Sequence, residues 1–187
     1  FSSDPTEEEL LRNWTLSGSD KTQVRVCRGV AQRYSFALQL CVLRQHGHFM
    51  APDQKGIPLR IINHVGEQLG FAPTLFLPPI GRGPTLRDHH RRLSTYLGFT
   101  PFDDNERRAL VRWLRKQVRH DLHRAELKSL AREFLLQRKT LIPADSTLTR
   151  IVGTEVTRAE KVSFPLVRPR YVAPTSKATL EHICYPW

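Results

Sequence analysis

Four arginines, Arg108, Arg112, Arg115 and Arg119, recur at steps of four, three and four residues, a spacing that lines them along one side of a helix. Like charges at such intervals repel one another. The row therefore asks for an anion, and a guanidinium fork matches the oxygens of a phosphate. Lys116 borders the row, and Glu106 is the nearest acid in the sequence. The plainer alternative is a solvated face balanced by acids of neighbouring helices. Farther on, short hydroxyls interleave with arginine at Ser146, Thr147, Arg150, Thr154, Thr157 and Arg158. Hydroxyls and guanidinium groups are the side chains that address phosphates and base edges in a major groove. Arg87, Arg91 and Arg92 form a third basic group, expected on the exposed side of its helix.

These groups need helices to position them, and the apolar periodicity supplies them. Leu110, Trp113, Leu114 and Val118 share one face of a helix over 103–120, opposite the arginine row. A helix over about 124–139 turns Leu127, Leu130, Ala131, Phe134 and Leu135 inward. Pro143 breaks it, Asp145 or Ser146 caps the next helix, and that helix runs to about Lys161, burying Leu148, Ile151, Val152 and Val156. Glu155 falls toward the apolar side and is not counted among the groove-facing residues. Helix, short turn and second helix give the outline of a helix-turn-helix. Upstream, Asp4 and Pro5 suit a helix start, and a short helix begins near Ser19. Val30–His46 reads as a helix apolar around most of its circumference, with a narrow wet strip at Gln32, Ser35 and Gln39. Pro58–Leu69 is amphipathic, and Thr85 opens a helix to Leu97. No strand pattern is strong, so the fold class is all-α: two consecutive helical bundles with helix-turn-helix-like modules. The "FLPPIGRGP" stretch at 76–84 is the main breaker cluster. The organisation expected is a first helical module over 1–80, a connection with a basic helix over 81–102, a second module over 103–161, and a tail over 162–187 that is extended or poorly ordered.

Composition limits the chemistry. The 187 residues carry 29 Lys and Arg against 18 Asp and Glu, a net charge of +11. Residues 82–139 hold 15 basic and 7 acidic side chains, most of that excess, and such concentration suits a binding face for a polyanion. Three cysteines, Cys27, Cys41 and Cys184, form neither a metal pattern nor a disulfide framework, which fits a reducing compartment. No apolar run approaches the roughly 20 residues that span a bilayer. His89–His90 and His120/His123 lack a cysteine or carboxylate to complete a metal site, and read as surface or phosphate-adjacent groups. Asp103 and Asp104 read as helix caps. No nucleophile elbow, phosphate-cradling glycine loop or paired-carboxylate motif is present, so no residue is assigned as catalytic or as a metal ligand. The chain opens on Phe1 and reads as a piece of something longer. A competing reading is a helical interaction or assembly module whose basic face docks an acidic partner; a stand-alone DNA-binding regulator is another. RNA binding is open on charge, although the aromatics read as core rather than as stacking platforms.

Three ordered stretches carry a family likeness: "YSFALQLCVLRQHGHFM" at 34–50, "HVGEQLGF" at 64–71 and "YLGFTPF" at 96–102. Together they closely resemble the N-terminal, DUF4158-like region of Tn3-family replicative transposases. "LIPADSTLTRIV" at 141–152 matches more loosely. The likeness covers about residues 14–160, and the tail departs from it. It implies recognition of the terminal inverted repeats of a transposon. The implied partners are double-stranded DNA at the transposon ends, the remainder of the transposase and further copies on DNA, with no membrane. It also implies that the Asp-Asp-Glu, magnesium-dependent strand-transfer site lies in a larger C-terminal part, leaving no cofactor for this one. The implied location is the bacterial cytoplasm, at the nucleoid. On this reading Arg87, Arg91, Arg92, Arg108, Arg112, Arg115, Lys116 and Arg119 hold phosphates, while Ser146, Thr147, Arg150, Thr154 and Arg158 face a groove.

Overall fold

A computed structural model describes residues 4–50, 57–71, 83–118 and 123–163 of the chain, with side chains to Lys161. Eight helices are ordered along these residues: α1 (Glu7–Asn13), α2 (Gly18–Arg25), α3 (Val30–His46), α4 (Leu59–Gln68), α5 (Gly83–Leu97), α6 (Asp104–Gln117), α7 (Arg124–Gln137) and α8 (Asp145–Ser163). The first two open on reciprocal caps. Thr6 accepts from the Glu9 N–H while the Glu9 carboxylate takes the Thr6 N–H at 2.8 Å. Ser17 and Asp20 repeat the exchange. Such pairs satisfy two N–H groups that a helix start would leave open. The cap therefore falls on Thr6 rather than on Asp4. Pro5 lies outside the helix and is buried, with its carbonyl taken by the Arg60 guanidinium at 2.8 Å.

The central strut is α3. From Tyr34 to Leu43 every residue is buried, so the expected wet strip is absent at Ser35 and Gln39. Gln39 is tolerated there because its amide closes two bonds with the backbone of one residue. Its oxygen accepts from the Met50 N–H at 2.9 Å, and its nitrogen donates to the Met50 carbonyl at 3.3 Å. Around α3 gather Trp14, Leu16, Val24, Ile61, Val65, Leu93 and Phe99, the first core. The helix over 83–97 thus belongs to the first bundle through Leu93, with Leu86, Tyr96 and Leu97 packed alongside. Asp20 ties three helices at this core. Only 1% exposed, it accepts from Arg44 of α3 at 2.6 Å and from the Tyr96 hydroxyl of α5 at 2.9 Å.

A second core brings together Leu110 and Leu114 of α6, Leu127, Ala131 and Leu135 of α7, and Leu148, Ile151, Val152 and Val156 of α8. Trp113 stacks on Phe134 at 4.9 Å along its edge. Seven residues separate α7 from α8, more than the roughly three or four of the tightest helix-turn-helix. They run along the first bundle. Thr100 and Thr140 form a one-pair parallel bridge, in which the Thr100 N–H donates to the Lys139 carbonyl and the Leu141 N–H to the Thr100 carbonyl, each at 2.8 Å. The Ile142 N–H then donates to the Gly47 carbonyl at 2.8 Å. Gly47 ends α3 in the left-handed region at φ +68°, and a Cβ there would meet Ile142 and Leu136 side chains at 3.0–3.1 Å.

These contacts set two expectations for stability. Gly47→Ala meets both a backbone penalty and crowding, and should destabilise the chain by about 1–3 kcal/mol; an unchanged melting temperature would contradict the junction. For Asp20, burial works to raise the carboxyl pKa, but bonds from Arg44, the Ser17 N–H and Tyr96 outweigh it and hold it below the ordinary carboxylate range. A depressed folded-state value means that its stabilisation is whole above about pH 4, the unfolded value, and drains as pH falls below that. Asp20→Asn should therefore cost about 1–3 kcal/mol at neutral pH. It should also flatten the fall of melting temperature between about pH 5 and pH 3 relative to the parent; parallel curves would remove Asp20 from this role.

Candidate nucleic-acid interface

Helix α6 starts on Asp103, whose carboxylate accepts from the N–H groups of Asn105 and Glu106 at 2.9 Å each. With Leu110 and Leu114 sealed in the core, the opposite side carries Arg108, Arg112, Arg115 and Lys116, all exposed. Arg107 flanks them. Arg107, Arg108, Arg112 and Arg115, together with Asp104, Asn105, Val111 and Glu155, line an open concavity of about 960 Å³. Glu106, the nearest acid in the sequence, is engaged elsewhere. Both Glu106 oxygens accept from Arg138 at 2.8 Å, and the Thr140 hydroxyl adds a bond at 3.1 Å. The Arg138 bond foremost, with help from Thr140, holds the Glu106 carboxyl below its usual range against the opposing effect of burial. The row is therefore not neutralised by its own first turn.

Its members are not equivalent. Arg115 donates to Glu155 of α8 at 2.9 Å, and that carboxylate is only 8% exposed. Arg108 bonds the Asn105 side chain and the Asp104 carbonyl. Among the described residues no carboxylate lies in ion-pair reach of Arg112, Arg107 or Lys116. Arg119 lies outside the described residues.

The outer side of α8 is the second basic surface. Ser146, Arg150, Thr154, Thr157 and Arg158 are exposed and Thr147 half-buried, while Leu148, Ile151, Val152, Glu155 and Val156 face the core. The placement of Glu155 agrees with its periodicity. Arg150, Thr154, Thr157, Arg158 and Lys161 join Arg124 of α7 and Gly153 around a concavity of about 690 Å³. The Thr154 hydroxyl donates to the Arg150 carbonyl at 2.8 Å. Its proton is therefore turned inward, leaving a lone pair and a methyl group outward. Such a group can accept from a base amino group or touch a thymine methyl.

On α5 the three arginines divide. Arg87 is exposed; Arg91 is exposed and pairs with Asp88 at 2.6 Å. Arg92 is turned inward, contrary to its expected exposure. Its guanidinium donates to the Gln23 carbonyl at 3.2 Å and lies 4.8 Å over the Phe36 ring, with the Cys27 sulfur 3.7 Å away. The neighbouring histidines also differ from a surface placement. His89 is buried edge-on to Phe36 beside Cys27, and His90 stacks on Phe49 at 3.7 Å. Burial lowers the pKa of both rings. His120 lies outside the described residues, as does the tail from 164. Sequence periodicity missed Arg124 and Lys161, because Arg124 reaches the α8 surface only through the packing of α7 on α8. Among the described residues no helix is long and apolar enough to cross a membrane.

Comparison with known proteins gives this geometry a context. The model of a family described as "Domain of unknown function (DUF4158)" matches residues 1–154. The transposase for transposon Tn501 of Pseudomonas aeruginosa is 33% identical over 165 residues, 88% of this chain and 17% of that protein. The transposase for transposon Tn1546 of Enterococcus faecium is 30% identical over 164 residues, 87% of this chain and 16% of the relative. The transposase for transposon Tn3926 of Escherichia coli is 29% identical over 168 residues, 90% and 17% respectively. The chain thus spans about a sixth of the length of the curated relatives it matches.

Proposed function

The chain belongs to the DUF4158 family, and we propose that it is a non-catalytic, double-stranded DNA-binding module that recognises the terminal inverted repeats of a transposon as the N-terminal part of a transposase. The observation that carries this reading is the outer side of α8. There arginines and hydroxyls stand exposed without an internal carboxylate partner among the described residues, on a helix whose other side is sealed into a core. A helix about 10–12 Å in diameter fits a major groove about 12 Å wide. In the proposed docking, Ser146, Thr147, Arg150, Thr154 and Arg158 meet the groove. Arg108, Arg112 and Lys116 of α6 hold phosphates and fix register, with Arg87 and Arg91 as additional contacts, and Arg119 is proposed to extend the row. Phosphate contacts position a protein on DNA, and base contacts give it sequence preference.

Arg92 is left out of this assignment because its guanidinium is occupied inside the first bundle, and Arg115 is a weaker contact because Glu155 already holds it. The strand-transfer chemistry of the parent protein, with its magnesium, is proposed to lie outside this chain. DNA at the transposon ends, the rest of the transposase and further copies on the same DNA are the partners expected. The bacterial nucleoid is the location expected.

Fluorescence-anisotropy titration tests the reading, using a duplex with the element's terminal repeat and a scrambled duplex of equal length. Arg150→Ala should reduce discrimination between the two by about 1–3 kcal/mol. Replacing Arg112 and Lys116 together by Ala should weaken binding to both duplexes alike. It should also lower the slope of log affinity against log salt by about 2, since each lost phosphate contact removes roughly one. Equal binding of the two duplexes by the parent chain, with both variants unchanged, would instead favour an assembly module for an acidic protein.

A further inference from the structure

Gly153 lies in the interior of α8, where glycine is less favourable than alanine because the unfolded chain loses more conformational freedom on becoming helical. Most of the other described glycines are placed differently. Gly29, Gly47, Gly70 and Gly98 adopt positive φ. Gly66, inside α4, faces the first core, where a Cβ would make ordinary contact with the Tyr34 ring and the Phe71 carbonyl at 3.5 and 3.6 Å. Gly18 and Gly83 are the first residues of their helices. Gly153 has none of these grounds: its φ is not positive, and among the described residues a Cβ there would find nothing within 4 Å. Neither its conformation nor packing within the described chain calls for glycine.

Its surroundings supply a reason from outside. Gly153 sits in the concavity ringed by Arg124, Arg150, Arg158 and Lys161. Among the described residues Arg124 pairs with Glu160 at 3.7 Å, and no carboxylate lies in ion-pair reach of Arg150, Arg158 or Lys161. A missing side chain amid four cations leaves bare helix backbone where an anionic polymer would be drawn in. We propose that Gly153 is the closest-approach point of α8 to DNA, where a sugar–phosphate strand at the groove wall lies against the helix backbone with its phosphates in reach of the surrounding cations. This rests on the DNA-binding reading and deepens it. Because helix and groove have nearly the same width, one added methyl group would hold the helix off the strand.

The test is Gly153→Ala in the full 187-residue chain, read by thermal melting and by anisotropy with the terminal-repeat duplex at several salt concentrations. The expected result is a melting temperature about 2–4 °C higher, with affinity weaker by roughly fivefold or more and a lower salt slope, because a strand held off the helix gives up phosphate contacts. Stabilisation with undiminished affinity would overturn the proposal, as would a lower melting temperature, which would show that the chain itself needs the glycine. Arg150→Ala and Arg158→Ala measured alongside separate the two levels. If they weaken binding and Gly153→Ala does not, the close-approach point fails and the DNA reading stands. If the parent chain does not bind the duplex, or neither arginine variant weakens binding, the DNA reading fails and this proposal with it.

Discussion

The second bundle is joined to the first at the end of α3. Gly47 takes a backbone conformation closed to most side chains, and its carbonyl receives the Ile142 N–H while Ile142 and Leu136 fill the space where a Cβ would stand. The neighbouring Thr100–Thr140 bridge fixes the same connection a second time. Two cores that could have been separate globules are thereby sewn together by backbone hydrogen bonds, and the connection between α7 and α8 becomes a shared edge. That use explains its length. Residues 138–144 reach across to the first bundle before α8 begins, where a minimal turn would only reverse direction.

Much of this is legible from residue spacing. The limits of α3 follow from Val30 and Gly47, and α6 from an apolar stripe opposed to an arginine row, because a 3.6-residue period reports which side of a helix is buried. What escapes are pairings between residues distant in sequence. No local pattern around Glu106 names Arg138, on another helix end, as its partner; Arg92 finds Gln23 and Phe36 across a still longer interval. Gln39 reads as wet because a lone amide on an apolar helix normally needs water, and only the return of the chain at Met50 supplies its bonds. His89 and His90 pack inward for the same reason: their partners lie on α3 and just beyond it.

The family likeness sits chiefly on residues that build the frame. Phe36, Leu38, Leu40 and Cys41 are wholly buried. In the second matched stretch Gln68 accepts from the Leu16 N–H at 2.7 Å and donates to the Trp14 carbonyl at 3.0 Å, fastening α4 to the turn after α1. In the third, Gly98 makes the positive-φ exit from α5, Phe99 enters the core and Thr100 forms the bridge. These residues serve the scaffold. The outward residues of α8 lie outside these three stretches.

The cations of α7 have one more consequence. Lys128 and Arg132 share Asp145, Arg124 meets Glu160, and Arg138 just past the helix end holds Glu106. With Lys128, Arg132 and Arg138 paired, the unpaired positive charge of the second bundle lies chiefly on the outward sides of α6 and α8, with Arg124 at the border of the latter. A molecule polarised in this way turns in the field of a polyanion before the two surfaces touch. On the proposed DNA-binding reading, encounter would be biased toward the productive orientation, an advantage in association rate that fades as salt shortens the reach of the field.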